Sequence, residues 1–119
     1  DVGRKLSARE HWIMYRSMPK GKIIVDTGAK KALVNNHSSL LPKGIIDVTG
    51  NFLISQIVDI VDENDNLLAR GIVNYSSDEI KLIKGLNTSE IENILNYKDY
   101  DEIVHANNWV LVEGVKNND

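Results

Sequence analysis

Residues 21–33 read GKIIVDTGAKKAL and join an apolar strand directly to a helix. The β-branched run at 22–25 predicts a short buried strand. Asp26 follows at once, and its carboxylate can accept hydrogen bonds from the amides of a first helical turn. Three apolar residues then share one helical face by their i, i+3, i+4 spacing: Ala29, Ala32 and Leu33. We therefore predict a strand–helix unit whose helix ends at Asn35-Asn36.

Short strands and tight turns continue on both sides of this unit. The pattern predicts further strands at 11–18, 45–48, 57–61, 67–74 and 107–112, with a hairpin turn at 63–66. In the strand at 11–18, Trp12, Met14 and Tyr15 are expected to pack. An apolar plug, Leu40-Leu41-Pro42, is expected to lead into a turn at Lys43-Gly44.

Two capping boxes predict two short helices between the strands at 67–74 and 107–112. Ser76 with Glu79 begins the first, which Gly85 ends in a left-handed conformation. Its inner face consists of Ile80 and Ile83. Ser89 with Glu92 begins the second, which is expected to bury Ile91, Ile94 and Leu95. Six short strands and three short helices indicate a mainly β fold with short helices, a small mixed β-barrel.

Composition restricts the protein class. The chain has 119 residues, enough for one domain, and 42% of them are hydrophobic. It contains no cysteine, which removes disulfides, thiolate zinc sites and cysteine nucleophiles and fits a reducing, cytoplasmic location. No apolar run approaches the roughly 20 residues that span a bilayer, and the polar start DVGRKLSARE has no signal-peptide pattern, so no membrane partner is expected.

Five segments together resemble one family. They are GKIIVDTGAKKAL (21–33), SSLLPKGI (38–45), VTGNF (48–52), ARGIVNYSSDEI (69–80) and ILNYKDYDEIVHANNWVL (94–111). In this order and spacing they are similar to the C-terminal region of bacterial glutamate 5-kinases, which in that family is a PUA domain. The resemblance implies a PUA-like β-barrel at 11–112, a lead-in at 1–10 from an upstream amino-acid-kinase domain that is absent, and a polar tail at 113–119.

The resemblance also implies a parent activity. Glutamate 5-kinases phosphorylate the γ-carboxylate of glutamate with ATP and Mg²⁺, the first step of proline biosynthesis. The family's ATP and glutamate ligands lie in the kinase domain, so no catalytic, cofactor-binding or metal residue is carried over here. The expected role of this piece is accessory: it packs on the kinase domain, influences assembly or oligomerisation of the parent, and tunes its regulation. A stand-alone protein is the other arrangement.

The charge distribution raises a second function. Residues 1–50 carry nine Lys/Arg against four Asp/Glu, net +5, whereas residues 51–119 carry five against thirteen, net −8. PUA domains of tRNA-modifying enzymes bind RNA, and a phosphate-binding surface needs clustered cations. The candidate RNA or partner surface consists of Lys20, Lys22, Lys30, Lys31, Lys43 and Arg70. Against this, the two halves can mix in space and cancel, and the pI of about 5.6 is not that of a dedicated nucleic-acid binder.

Other chemistry finds little support in the pattern. His11, His37 and His105 do not pair at metal-ligand spacing, and Glu102–His105 is a single E-x-x-H without the second copy that a helical metal site needs. His105 is interpreted as a structural, hydrogen-bonded histidine. Asp99, Asp101 and Glu102 are interpreted as a solvated acidic loop.

Two positions depart from the family pattern. Asn96 replaces the glycine before the tyrosine in ILGYEY, where a left-handed turn tolerates Asn. Ile54-Ser55-Gln56 replaces the RGD that often follows GNF, which removes a cation from that turn.

Overall fold

The computed structural model describes residues 8–13 and 18–112. Within these ranges the strands are β1 (Gly21–Val25), β2 (Ile45–Gly50), β3 (Ile57–Val61), β4 (Leu67–Ile72) and β5 (Trp109–Leu111). The α-helices are α1 (Ala8–His11), α2 (Thr27–Asn36), α3 (Ser77–Ile83) and α4 (Ile91–Leu95). Short 3-10 helices occupy Pro42–Gly44, Thr88–Glu90 and Ala106–Asn108.

The five strands form one mixed sheet in the order β2-β1-β3-β4-β5. Strands β1 and β3 are parallel, and the other neighbouring pairs are antiparallel. The predicted fold class, mainly β with short helices, is confirmed.

The main core lies on one face of this sheet. It combines inward residues of all five strands, such as Ile23 and Ile60, with Leu33 of α2 and Ile80 of α3. Trp109 is fully buried in it. On the opposite face, Ile13 packs in a second cluster with Ile57 and Val110, and with the partly buried Ile72. The N-terminal arm, residues 8–13, therefore covers part of the outer face of the sheet.

The predicted capping signals of α2 and α3 are present in the structure, and so are the two predicted left-handed residues. Asp26 Oδ1 accepts a hydrogen bond from Ala29 N at 2.7 Å, and α2 ends at Asn36, followed by His37 in the left-handed conformation. Ser76 and Glu79 form both bonds of the capping box at the start of α3. Gly85 has φ +78°, as predicted, and Asn96 has φ +68°.

Several local predictions are wrong. Residues 11–13 are helical rather than extended, and Trp12 is 47% exposed; Met14 and Tyr15 lie outside the described residues. The Ser89–Glu92 capping box does not form, because the 3-10 turn Thr88–Glu90 leads directly into α4 and no side chain caps it. Ile94, which was expected to be buried, is 44% exposed, and the five-residue helix α4 buries Ile91 alone.

Candidate functional site

Half of the six candidate cations are paired with aspartates. Lys22 Nζ lies 3.2 Å from Asp65 Oδ1, and Lys30 Nζ lies 3.0 Å from Asp62 Oδ2. Arg70 Nε lies 2.9 Å from Asp59 Oδ1. Lys22 and Lys30 thereby join the basic first half of the chain to the acidic second half, so part of the sequence's charge asymmetry is neutralised within the fold.

The Asp62 carboxylate organises the β3–β4 turn. Its Oδ1 accepts hydrogen bonds from the amides of Asn64 and Asn66, both at 2.9 Å. Its Oδ2 accepts from the Asn66 side-chain amide at 3.1 Å and from Lys30 at 3.0 Å. Burial alone raises the pKa of Asp62, but these hydrogen bonds outweigh it and lower the pKa to about 2. Lys30 is thereby a structural tie between α2 and the hairpin.

Asp62→Asn is expected to lower the free energy of unfolding by about 1.5–3 kcal/mol, because a hydrogen-bonded charge is lost beside Lys30.

The low pKa of Asp62 also makes the free energy of unfolding depend on pH. Since the folded pKa is about 2 and the ordinary value is 3.8, the carboxylate stabilises the fold above about pH 4. That contribution falls as the pH drops towards 2. Urea unfolding between pH 2 and 7 measures both effects.

The matched control for this change is Asp65→Asn in the same turn. Asp65 pairs with Lys22 at the surface, with 68% of its side chain exposed, so the loss should stay within about 1 kcal/mol. Equal losses for the two variants would contradict the organising role of Asp62.

The six cations do not lie on one surface. Lys22, Asp59 and Arg70 are cross-strand partners and therefore share the outer face of the sheet. Lys30 and Lys31 lie on α2, which packs on the opposite face through Leu33. Lys20 immediately precedes β1 at the end of the sheet where β3 begins, because its amide donates to Ile57 O at 2.8 Å.

A groove of about 270 Å³ lies between α2 and the Pro42–Gly44 turn. Its lining is largely apolar and includes one of the six candidate cations, Lys43. The lining residues are Asp26, Ala29, Ala32, Leu33, Ser39, Leu40, Leu41, Lys43 and Gly44. Lys31 lies on a different side of α2, since a helix places residues 29, 32 and 33, but not 31, on one face.

Local contacts close the floor of this groove. Asp26 N donates to Gly44 O at 2.9 Å, which ties the start of α2 to the turn. A side chain at Gly44 would place its Cβ 2.5 Å from Ala29 Cβ, so glycine permits this approach. Leu40 and Pro42 are buried as predicted, but Leu41 is 44% exposed. The sequence pattern did not reveal the groove, because Leu41 appeared to be part of the plug.

The histidines are engaged in structural contacts. His105 Nδ1 accepts from Asn107 N at 3.0 Å and caps the 3-10 helix, which confirms the structural interpretation. His37 stacks on Trp109 with a centroid separation of 4.0 Å, and its Nε2 lies 2.9 Å from Ala106 O. Across residues 8–13 and 18–112, no three His, Asp or Glu side chains are grouped as a metal site would require.

The acidic loop faces a buried tyrosine. Tyr75 donates its hydroxyl to Tyr100 O and stacks edge-on against the Tyr100 ring. Burial raises the pKa of Tyr75, and the negative charges of Asp99, Glu79 and Asp101 raise it further. Asp99 and Asp101 are exposed, as expected of a solvated loop, whereas Glu102 is half-buried.

Comparison with known proteins assigns the fold to a family. The PUA domain family matches residues 21–95, which include β1 to β4 and the groove. The chain belongs to the PUA domain family. Within residues 8–13 and 18–112, no helix has the length and apolar character needed to cross a bilayer.

The relatives of this PUA domain are enzymes. It is 41% identical over 110 residues to the glutamate 5-kinase of Thermoanaerobacter sp. (strain X514), covering 92% of this chain and 30% of that protein. It is 47% identical over 107 residues to the glutamate 5-kinase of Trichlorobacter lovleyi, covering 90% of this chain and 28% of that protein. The resemblance found in the sequence is confirmed. The chain spans about 30% of the length of these curated relatives.

A solved structure shares the fold. It is a PUA domain from Aeropyrum pernix K1, crystallised as a tartrate complex, with a TM-score of 0.54 and 20% identity. The similarity covers 72% of this chain and 41% of the other.

Proposed function

We propose that this chain is the accessory PUA domain of a cytoplasmic glutamate 5-kinase. The parent would transfer the γ-phosphate of ATP to the γ-carboxylate of glutamate with Mg²⁺, at the start of proline biosynthesis. The observation that carries the proposal is the 41–47% identity to glutamate 5-kinases over about 90% of this chain. Phosphoryl transfer itself would be the work of the parent's amino-acid-kinase domain, and this domain would govern assembly and regulation.

The ion pairs of this domain support such a division of labour. Phosphoryl transfer needs a phosphate cradle, cations on the transferred group and metal ligands. Three of the six candidate cations instead tie strands and turns together, as in Lys30–Asp62 and Arg70–Asp59. These ion pairs favour a scaffold role over a reacting one.

The test compares three proteins: the complete gene product, the same enzyme cut before residue 8, and this chain alone. Glutamate-dependent formation of ADP from ATP is measured with and without proline, and mass is measured by light scattering. We expect activity in the first two, with altered oligomeric mass or proline sensitivity after the cut, and none in the third. A complete gene product that lacks this activity, or an isolated chain that has it, would overturn the proposal.

RNA binding is the second candidate. Lys20, Lys31 and Lys43 are exposed and have no ion-pair partner among residues 8–13 and 18–112, so they are available for phosphates. The groove beside Lys43 adds an apolar surface.

If Lys31 and Lys43 contact two phosphates, affinity for a labelled RNA stem-loop should fall roughly 7- to 12-fold between about 50 and 200 mM salt. The double change Lys31→Glu, Lys43→Glu should abolish binding. The matched control is Lys98→Glu, a lysine on the loop after α4 that pairs with Asp101. Affinity that is independent of salt, or unchanged in the double variant, would exclude this surface as an RNA site.

A further inference from the structure

The groove between α2 and the Pro42–Gly44 turn combines two opposite charges with an apolar lining. Leu33 and Leu40 belong to this lining, and each is only 1% exposed. The charges are the Asp26 carboxylate and the Lys43 ammonium, which line the same groove. A few polar groups that converge on an apolar pocket are typical of a site for a small molecule.

The two charged residues are neighbours in space. Asp26 N donates to Gly44 O at 2.9 Å, so Asp26 lies directly against the residue that follows Lys43. A Cβ at Gly44 would lie 3.9 Å from Asp26 Oδ1, so the carboxylate faces the turn. Even so, neither Asp26 nor Lys43 forms an ion pair with any side chain of residues 8–13 and 18–112. Both charges are therefore available to a ligand in the groove.

The polar groups of the groove retain hydrogen-bonding capacity. Asp26 Oδ1 accepts from Ala29 N at 2.7 Å as the cap of α2, and Oδ2 accepts no hydrogen bond from the part of the chain that the structure describes. Ser39 Oγ accepts from Ala106 N at 2.8 Å and keeps its own hydrogen to donate. The Lys43 ammonium contributes three donors. The groove thus offers an acceptor for a cationic group together with donors for an anionic one.

We propose that this groove binds a free α-amino acid with a small apolar side chain. In such a zwitterion one carbon separates the ammonium from the carboxylate, which suits two opposite protein charges that are neighbours. The ammonium would bind Asp26, and the carboxylate would bind Lys43 and Ser39. The apolar side chain would lie against Leu33 and Leu40. The volume of about 270 Å³ is slightly below that of sites for drug-sized molecules, as a small ligand requires.

The balance of charge selects this class of ligand over simpler ones. A carboxylic acid without an ammonium would bring a negative charge close to Asp26, and an amine without a carboxylate would bring a positive charge close to Lys43. Each would leave one protein charge without its partner, which lowers the affinity. The ligand is bound by this domain itself, so the inference goes beyond the kinase activity of the parent.

The test titrates this chain, labelled with ¹⁵N, with L-valine while its amide resonances are recorded by NMR. We expect saturable shifts of the amides of Ala32, Ser39 and Gly44, with a Kd of about 1 mM for so small a ligand. Three analogues remove one contact each: N-acetyl-L-valine lacks the ammonium, L-valinamide lacks the carboxylate, and glycine lacks the apolar side chain. Each analogue should bind at least about tenfold more weakly than L-valine.

Two variants remove the protein charges while keeping the fold. Asp26→Asn retains the cap of α2, because Asn caps helices as well as Asp does, and Lys43→Gln changes an exposed side chain. Each should weaken the binding of L-valine about three- to tenfold. The matched control is Lys31→Gln, a lysine on another side of α2, and it should leave the affinity unchanged.

Absent or unsaturable shifts would overturn the proposal, and so would equal affinity for L-valine and its N-acetyl and amide derivatives. An affinity that neither Asp26→Asn nor Lys43→Gln changes would overturn it as well. Binding of the RNA stem-loop at the same amides, without binding of any of these amino acids, would assign the groove to RNA instead. None of these readouts involves phosphoryl transfer, so their failure is distinct from a failure of the proposed function.

Discussion

Replacing Trp109 with alanine is expected to lower the free energy of unfolding by about 3–5 kcal/mol, the range for a fully buried aromatic residue. Trp109 is completely buried and packs against Gly71, where its Cβ lies 2.7 Å from the position that a side chain would take. Its ring stacks on His37, and its Nε1 donates to Ser38 O at 3.0 Å. The substitution thus opens a cavity and leaves a carbonyl without its donor. It also loosens β5 from the segment that follows α2.

The chain provides its own control for this change. Trp12→Ala removes the same side chain from a site that is 47% exposed, and should cost at most about 1 kcal/mol. Urea unfolding followed by far-UV circular dichroism measures both, since the signal does not depend on tryptophan. Trp109→Phe keeps a stacked ring but loses the bond to Ser38, so we expect an intermediate loss. Equal costs at the two tryptophans would contradict the assignment of Trp109 to the core.

The sequence predicted what depends on neighbouring residues. The cap of α2 by Asp26 and the capping box of α3 involve side chains and amides three residues apart, so their geometry is largely contained in the local sequence. The limits of β3 matched for the same reason, because Ile57–Val61 is a short apolar run that ends at turn residues. The failure at Ser89 marks the boundary of such reasoning: a 3-10 turn replaced the expected helical start.

The candidate site depends on contacts between distant residues. Lys30 and Asp62 are 32 positions apart, and Lys22 and Asp65 are 43 apart, so no local pattern assigns these partners. From the sequence alone, all six cations are candidates for a basic surface. Pairing removed half of them from that role. The groove beside α2 likewise forms only when Gly44 meets Ala29.

The turn before β3 joins both kinds of information. Ser55 has φ +74°, and it is the middle residue of the segment 54–56 that departs from the RGD expected from the family resemblance. The chain therefore keeps a left-handed turn without the residue that adopts it most cheaply. Its neighbour Ile54 is exposed where that motif has a cation.

Gly50→Ala is expected to lower the free energy of unfolding by about 2–5 kcal/mol, for two separate reasons. Gly50 has φ +87°, which costs an L-residue about 1–2 kcal/mol. It also faces Gly21 across β1 and β2, and a Cβ would lie 2.8 Å from both Gly21 Cα and Lys20 O. Both contacts are backbone atoms, so the strands themselves must separate, which adds about 1–3 kcal/mol.

Gly85→Ala isolates the first reason from the second. Gly85 has φ +78°, but a Cβ there meets no atom within 4 Å, so only the conformational cost of about 1–2 kcal/mol applies. Chemical denaturation of both variants under identical conditions gives the difference directly. A larger loss for Gly50→Ala assigns the excess to the contact between β1 and β2. Equal losses would mean that the strands yield without cost, and that the glycine pair is present for backbone conformation alone.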